Sequence, residues 1–224
     1  MNNNDIWQKA VADIKHHGFW FVDIPRTSSS SIKLELSKQY GIAYGKSDIL
    51  EKQHVTAQVL KPHIPAVQFR QAIGHQIWDS IYKFSFVRNP WDRVLSFYHY
   101  RIKVKRIHDI NISFREYVLQ LGEANENTPG FMFQVTRYGA YNYLYDQNDN
   151  LLVDYVGKYE TRENDLKVIS EKIGASMLGS LHVQKASPDN SHYSNYYDDE
   201  TIDVIYNLYR RDIEAFNYRF EEAA

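Results

Sequence analysis

Residues 19–31 read Phe19-Trp20-Phe21-Val22-Asp23-Ile24, followed by Pro25-Arg26-Thr27-Ser28-Ser29-Ser30-Ser31. The first six form a nearly continuous apolar run rich in β-forming side chains, which is typical of a buried strand in a parallel sheet. Pro25 breaks this run, and a loop of hydroxyl residues leads into a helical pattern at Ile32, Leu36 and Tyr40, which Gly41 ends. A strand, a loop and a helix in this order begin a βαβ unit.

The rest of the chain continues the alternation of helices and strands. Apolar periodicity predicts a helix over 4–17 and a long final helix over 198–216, whereas short apolar runs predict strands at 81–87 and 154–159. Capping residues mark further helix starts: Asn89 with Pro90, Ser113 with Glu116, and Thr161. The predicted fold is therefore α/β: a single three-layer domain over 1–224, with a central, mainly parallel sheet and a P-loop-like strand-loop-helix site.

The composition excludes several classes of function. The chain has 224 residues, a formal net charge of −2 and no Cys, so disulfides, thiolate nucleophiles and Cys-based zinc sites are excluded. A net charge this close to zero argues against a nucleic-acid binder that relies on global electrostatic attraction. The sequence shows neither a secretory signal nor an apolar run long enough to span a membrane. We therefore expect a soluble, cytoplasmic protein.

The loop at 25–31 has the features of an anion site. It follows a predicted strand, and in open α/β sheets ligands bind at the carboxyl ends of the strands. Backbone N–H groups at a helix start bind anions, hydroxyls add donors, and Arg26 adds a permanent charge with a planar fork of donors. A Ser-rich turn that only caps the helix explains the same residues equally well. The Walker A pattern of nucleotide kinases is absent, because the loop has no Gly and Lys33 is followed by Leu34.

A second candidate anchor lies at 86–96. It reads Phe86-Val87-Arg88-Asn89-Pro90-Trp91-Asp92-Arg93 and continues to Ser96. Arg88 closes a predicted strand and Ser96 lies two turns into the next helix, so that a guanidinium and a hydroxyl could hold one phosphate. The alternatives are a salt bridge at the sheet edge for Arg88 and a small helix-packing residue for Ser96.

These two segments resemble the 5'-phosphosulfate loop and the 3'-phosphate motif of sulfotransferases that use 3'-phosphoadenosine-5'-phosphosulfate (PAPS). The resemblance is to the carbohydrate-type branch, which includes the heparan sulfate 2-O-sulfotransferases and bacterial relatives. Further similar segments follow in the family's order and extend the resemblance over roughly residues 19–220: His54-Val55-Thr56-Ala57, 152–160 and 192–198.

The resemblance implies roles for individual residues. The 5'-phosphosulfate would be bound by Arg26, Thr27, Ser28, Ser29, Ser30 and Ser31, and the 3'-phosphate by Arg88 and Ser96. Arg26 stands where the family usually has Lys; a guanidinium stays protonated, so its role is electrostatic and it cannot protonate the leaving phosphate. Ser28 and Ser29 stand where the family often has small glycines.

The reaction also needs a base that accepts the proton of the acceptor hydroxyl. Histidine suits this task because its ordinary pKa lies near neutrality, and His54 is the candidate, with Arg26 as the other catalytic residue. A solvated or structurally bonded His54 is the alternative, and His99 and Glu35 are rival bases. In the polar segment at 182–195, Ser191 and Tyr193 are expected to contact the nucleotide, although a plain surface loop explains that segment as well.

The resemblance implies that the acceptor is a hydroxyl of a glycan or glycolipid. The basic run at 101–106 could bind an acidic glycan, and a solvated helix end explains it too. Two other functions remain open: a catalytically silent module that binds PAPS or its product PAP, and an ATP-dependent small-molecule kinase. No nucleic-acid partner is expected, and no metal, because sulfuryl transfer needs none and the sequence holds no evident ligand cluster.

Overall fold

The computed structural model describes residues 3–42, 63–100, 112–124, 136–176 and 191–221, with the backbone alone over 3–7. In chain order the helices are α1 (Asn3–His17), α2 (Ser29–Tyr40), α3 (Ala66–Ile73), α4 (His75–Ser80), α5 (Pro90–His99), α6 (Phe114–Glu123), α7 (Ala140–Leu144), α8 (Arg162–Ile173), α9 (Asp199–Leu208) and α10 (Arg210–Phe216). The strands are β1 (Phe19–Val22), β2 (Tyr82–Val87) and β3 (Tyr155–Lys158), and a 3₁₀ helix spans Tyr193–Tyr196.

The three strands form one parallel sheet in the order β1-β2-β3. In this register Phe84 of β2 pairs with Phe21 of β1 on one side and with Tyr155 of β3 on the other. Parallel strands are joined by crossovers that contain helices, and the chain places helices between each strand and the next. The predicted α/β class with a parallel sheet is confirmed.

Helices cover both faces of this sheet. On one face the ring of Phe19 lies 4.9 Å from that of Tyr40 in α2, and Lys172 of α8 lies over the ring of Tyr82 at 5.7 Å. On the other face Trp20 stacks on Phe69 of α3 with ring centroids 4.2 Å apart. Successive side chains of a strand point to opposite faces, so these contacts define a three-layer arrangement.

The chain divides into two compact units, and the expectation of a single domain over 1–224 stays a prediction. The first unit comprises Met1–Val87 and Asn142–Val183 and contains the sheet. The second comprises Arg88–Tyr141 and Gln184–Ala224. Its core is built by apolar side chains from several helices, among them Trp91, Leu95, Val118, Ile205 and Ile213.

One predicted element differs from the structure. The expected single helix over 198–216 is two helices, because α9 ends at Leu208 and Tyr209 has φ −114° and ψ 25°, outside the helical region. Tyr209 is buried and its hydroxyl donates to the carbonyl oxygen of Thr136. The helix is therefore interrupted at a buried residue, a position that the apolar periodicity does not reveal.

Within the described ranges, no helix is both long and apolar enough to cross a bilayer.

Candidate functional site

The loop after β1 has two residues in the left-handed region of backbone conformation. Arg26 has φ 67° and Ser28 has φ 68°, in a region that is unfavourable by about 1–2 kcal/mol for a residue with a side chain. Backbone strain of this kind is concentrated at functional sites. Successive N–H groups in a backbone that enters the left-handed region form an anion-binding concavity. The loop therefore has a backbone that can bind an anion.

Hydrogen bonds hold this loop to the elements on either side. The Thr27 hydroxyl is buried and donates to the carbonyl oxygen of Ile24 over 2.9 Å. The Ser28 carbonyl oxygen accepts from the amides of Ser31 at 3.1 Å and Ile32 at 3.3 Å, which begins α2. The predicted loop residues range from exposed (Ser30) through half-buried (Arg26, Ser28, Ser31) to buried (Thr27, Ser29).

A guanidinium that the sequence motifs do not single out also contacts the loop. Arg162 is the first residue of α8, and its Nη1 atom donates to the Ser28 hydroxyl oxygen over 3.1 Å. Its Nε atom is buried and has no hydrogen-bond partner among the described residues. The sequence contains one weak indication that Arg162 has a special role. A cation is unfavourable in the first turn of a helix, next to the positive end of the helix dipole, and Arg162 occupies that turn.

A buried ion cluster lies where β1 leads into the loop. The Oδ2 atom of Asp23 accepts a hydrogen bond from Lys33 Nζ of α2 and lies 3.1 Å from His63 Nδ1. Burial by itself raises the pKa of the Asp23 carboxyl, but the charges of His63 and Lys33 outweigh burial and hold this pKa well below its usual range. Asp23 is therefore an anion at neutral pH, and it joins the end of β1 to α2 and to residue 63.

Arg88, in the second unit, pairs with a carboxylate of its own helix start. Its Nε and Nη2 atoms donate to the two carboxylate oxygens of Asp92, each over 2.8 Å. Ser96 lies one turn further along α5 and is buried. The bidentate pair fixes the orientation of the guanidinium. Binding of a phosphate by Arg88 and Ser96 stays a prediction.

Ser191 and Tyr193 lie in the segment before α9. Tyr193 is buried, and its hydroxyl oxygen accepts from Asn89 Nδ2 at 3.3 Å and from the Glu221 amide at 2.8 Å. Burial raises the pKa of Tyr193 to about 12, so the phenol is neutral at physiological pH. Ser191 is half-buried. A contact of either residue with a nucleotide stays a prediction.

The predicted base, His54, lies outside the described residues, as do the basic run at 101–106 and residues 182–190 of the polar segment. Of the rival bases, His99 is buried in the second unit and Glu35 is half-buried on α2. The assignment of His54 as the base is untested by the geometry.

The first unit thus holds a strained, hydroxyl-rich turn at the carboxyl end of β1, with the Arg162 guanidinium against it and the Asp23 cluster beside it. Such a turn offers directed N–H and O–H donors and positive charge, which together can bind a phosphate or a sulfonate.

Comparison with known proteins gives the family of this chain. A profile of the Sulfotransferase family matches residues 11–219. An uncharacterized protein from Archaeoglobus fulgidus is 28% identical over 127 residues, which are 57% of this chain and 96% of that protein. A crystal structure of a sulfotransferase from Alicyclobacillus acidocaldarius is similar, with 16% sequence identity and a TM-score of 0.42, over 90% of this chain and 98% of that one. Because the family profile covers nearly the whole sequence, this chain belongs to the sulfotransferase family.

Proposed function

We propose that this protein transfers a sulfuryl group from PAPS to a hydroxyl of a carbohydrate. Membership of the sulfotransferase family supports the reaction type. The main support for an anionic donor is the backbone of the turn after β1, in which Arg26 and Ser28 both have the left-handed conformation. An L-residue adopts this backbone at a cost, which is offset when the turn binds a ligand.

The proposal assigns each end of the donor to one motif. Arg26, Thr27 and the serines at 28–31 bind the 5'-phosphosulfate through backbone N–H groups, hydroxyls and one guanidinium. Arg88 and Ser96 bind the 3'-phosphate, the group that distinguishes PAPS from ATP. The Asp92 carboxylate holds the Arg88 guanidinium in one orientation, which supports this role because an ordered side chain loses less entropy on binding.

Transfer breaks the bond between sulfur and the 5'-phosphate oxygen of the donor while a bond from sulfur to the acceptor oxygen forms. The electron pair of the broken bond stays on the phosphate, and the proton of the acceptor hydroxyl passes to a base. Arg26 stabilises the negative charge on the departing phosphate as a permanent cation, as in related phosphoryl transfers. The base in this proposal is His54, on the strength of the family resemblance.

The sugar acceptor also rests on the resemblance to the branch of heparan sulfate 2-O-sulfotransferases. The basic run at 101–106 adds four cations in six residues, and such a patch attracts uronate-containing glycans. Glycans and glycolipids that carry carboxylates are therefore the acceptors to test first.

A transfer assay tests the proposal. The full chain is incubated with PAPS that carries a radiolabelled sulfuryl group and with a panel of acidic glycans, glycolipids, phenols and tyrosine peptides; a parallel set uses ATP labelled at the γ-phosphate. We expect label on a glycan or glycolipid from PAPS alone. The His54→Ala variant should lose this transfer and keep its affinity for PAP, since the base does not touch the nucleotide.

Other outcomes of the assay exclude the proposal or part of it. Label on phenols or peptides alone contradicts the carbohydrate acceptor. Tight binding of PAP with no labelled product from any acceptor supports the silent module. Phosphorylation from ATP, with no transfer from PAPS, supports the kinase.

A further inference from the structure

We propose that Arg162 is a second guanidinium of the donor's 5' site and binds the 5'-phosphate end of PAPS together with the Ser28 hydroxyl. This inference rests on the proposed function, because it names a further residue of the same anion-binding turn. The sulfotransferase motifs in the sequence do not include Arg162.

The hydrogen bond between Arg162 and Ser28 sets the direction of the Ser28 hydroxyl. Arg is a donor only, whereas a Ser hydroxyl has one proton to donate and two lone pairs that accept. Since the Ser28 oxygen accepts from Arg162 Nη1 over 3.1 Å, the hydroxyl proton is available in another direction. Ser28 has φ 68°, in the turn whose N–H groups are proposed to bind the 5'-phosphosulfate, so this proton can reach an oxygen of the same anion.

The Nε atom of Arg162 gives a second, independent indication of a ligand. It is buried and has no hydrogen-bond partner among the described residues. A buried donor without a partner is unfavourable by about 1–3 kcal/mol, and such a group in a native protein calls for an explanation, such as an ion bound there. Because Nε is shielded from solvent, an anion contacts it only when the side chain turns toward the ligand; a phosphate or sulfonate oxygen that then accepts from Nε removes this penalty, and the planar fork of Arg suits the anion's geometry.

The position of α8 brings Arg162 to the correct edge of the sheet. The carboxyl ends of parallel strands lie at one edge, and β1 and β3 flank β2, so their ends are about 10 Å apart. The turn follows β1, and Arg162 begins the helix that follows β3. A long Arg side chain spans this gap, which the hydrogen bond to Ser28 demonstrates.

Asp165 fixes the start of α8. Its carboxylate accepts from the Tyr155 hydroxyl at 2.6 Å, the Lys158 amide at 3.0 Å and the Thr161 hydroxyl at 2.6 Å. These bonds tie the first turn of the helix to β3. The backbone of Arg162 is therefore held in place before a ligand binds, which lowers the entropy lost on binding.

A cation at this position also matches the charge of the donor. The first turn of a helix favours anions and disfavours cations, so Arg162 opposes the dipole of α8 in the absence of a ligand. A bound anion reverses this balance, because it interacts favourably with the guanidinium and with the helix end. The phosphosulfate carries a charge on each of its two groups, and Arg26 and Arg162 supply one cation each.

Calorimetric titration of four variants tests the inference with PAP and with adenosine 3'-phosphate, which lacks the 5'-phosphate. We expect Arg162→Ala to weaken PAP binding by about 10- to 100-fold, the effect of losing a hydrogen bond to a charged group, and to leave adenosine 3'-phosphate binding unchanged. Arg162→Gln, which removes the charge and keeps an amide donor on a shorter side chain, should also bind PAP weakly, whereas Arg162→Lys should recover part of the affinity.

Lys167→Ala is the matched control, since Lys167 is an exposed cation on the same helix and its loss should leave PAP binding unchanged. Wild-type affinity for PAP in both Arg162→Ala and Arg162→Gln would overturn the inference and leave the proposed function intact. An equal loss for PAP and adenosine 3'-phosphate would also overturn it, because it would indicate a structural role. A wild-type chain that does not bind PAP at all would overturn the proposed function and this inference together.

Discussion

Asp23 follows β1 with its Oδ2 atom in contact with Lys33 and His63, while its Oδ1 atom is buried without a hydrogen-bond partner in the described part of the chain. Lys33 is buried as well. A buried charge that loses its partner destabilises a protein by about 3–5 kcal/mol. The strand, the turn that follows it and α2 therefore depend on both members of this pair.

The low pKa of Asp23 predicts an acid dependence of stability. Its folded-state pKa lies below the unfolded-state value of about 4. The carboxylate's contribution to the free energy of unfolding is therefore complete above about pH 4 and is lost as the pH falls toward the folded-state pKa. Asp23→Asn should flatten this dependence and lower the free energy of unfolding at neutral pH by about 3–5 kcal/mol. Urea unfolding from about pH 7 to pH 3 measures both effects.

A double variant shows whether the instability comes from an unpaired buried charge or from altered packing. Asp23→Asn combined with Lys33→Met leaves neither charge buried and should regain most of the stability. If Asp23→Asn is as stable as the wild type at neutral pH and has the same acid dependence, the ion cluster does not stabilise the fold.

The sequence reveals these residues to different degrees. Arg88 stands in a recognisable motif at the end of an apolar run, so its place after β2 could be predicted. Asp23 gives a weaker signal, as a charged residue within an apolar run that must find a partner. Its contact with His63 joins residues 40 positions apart, and no local pattern encodes such a contact. The hydrogen bond from Arg162 to Ser28 spans 134 positions and is equally hidden.

Helix ends are the elements that the sequence predicts best, because capping is local. Asn89 accepts from the Trp91 amide over 3.1 Å at the start of α5, and Ser113 and Glu116 form the predicted capping box of α6. Gly41 ends α2 with φ 66°. The sequence does not predict the break between α9 and α10 at Tyr209. This residue is buried against residues that are distant in the sequence, and no local pattern encodes such packing.

The packing of α8 on the sheet depends on one close approach. Gly157 of β3 pairs with Phe86 of β2, and a Cβ atom at residue 157 would lie 2.6 Å from Phe86 Cε1 and 3.0 Å from Asp165 Cβ. No ordinary contact is that short, so a side chain here must displace either the ring or the helix.

We expect Gly157→Ala to lower the free energy of unfolding by about 1–3 kcal/mol, the usual effect of overpacking a core. It should also weaken PAP binding, because it shifts the Asp165 anchor and with it Arg162. Urea unfolding and calorimetry measure the two effects. The second change Phe86→Leu makes room for the methyl group and should restore part of the stability and part of the affinity for PAP. If the double variant recovers neither, the clash with Phe86 is not the cause.

At the scale of the whole chain, the family profile includes both segments that are proposed to bind the donor's phosphates. The profile spans residues 11–219, and the turn at 25–31 and the segment at 86–96 both fall within it. The α/β class was predictable because apolar runs, caps and their order are local signals with a small number of topological solutions. The order of the strands within the sheet depends on long-range pairing and required the structure.

In the proposed function the donor carries a 3'-phosphate, as PAPS does and ATP does not. Calorimetric titration with PAP and with adenosine 5'-phosphate, which differ only in that group, tests whether the protein recognises the 3'-phosphate. The wild-type chain should bind PAP about 10- to 100-fold more tightly. Arg88→Ala should remove this preference, whereas Arg210→Ala should keep it, because Arg210 forms a comparable pair with Glu214 four residues on but is exposed and outside the motif. Equal affinity of the wild-type chain for the two nucleotides would contradict the assignment of PAPS as the donor.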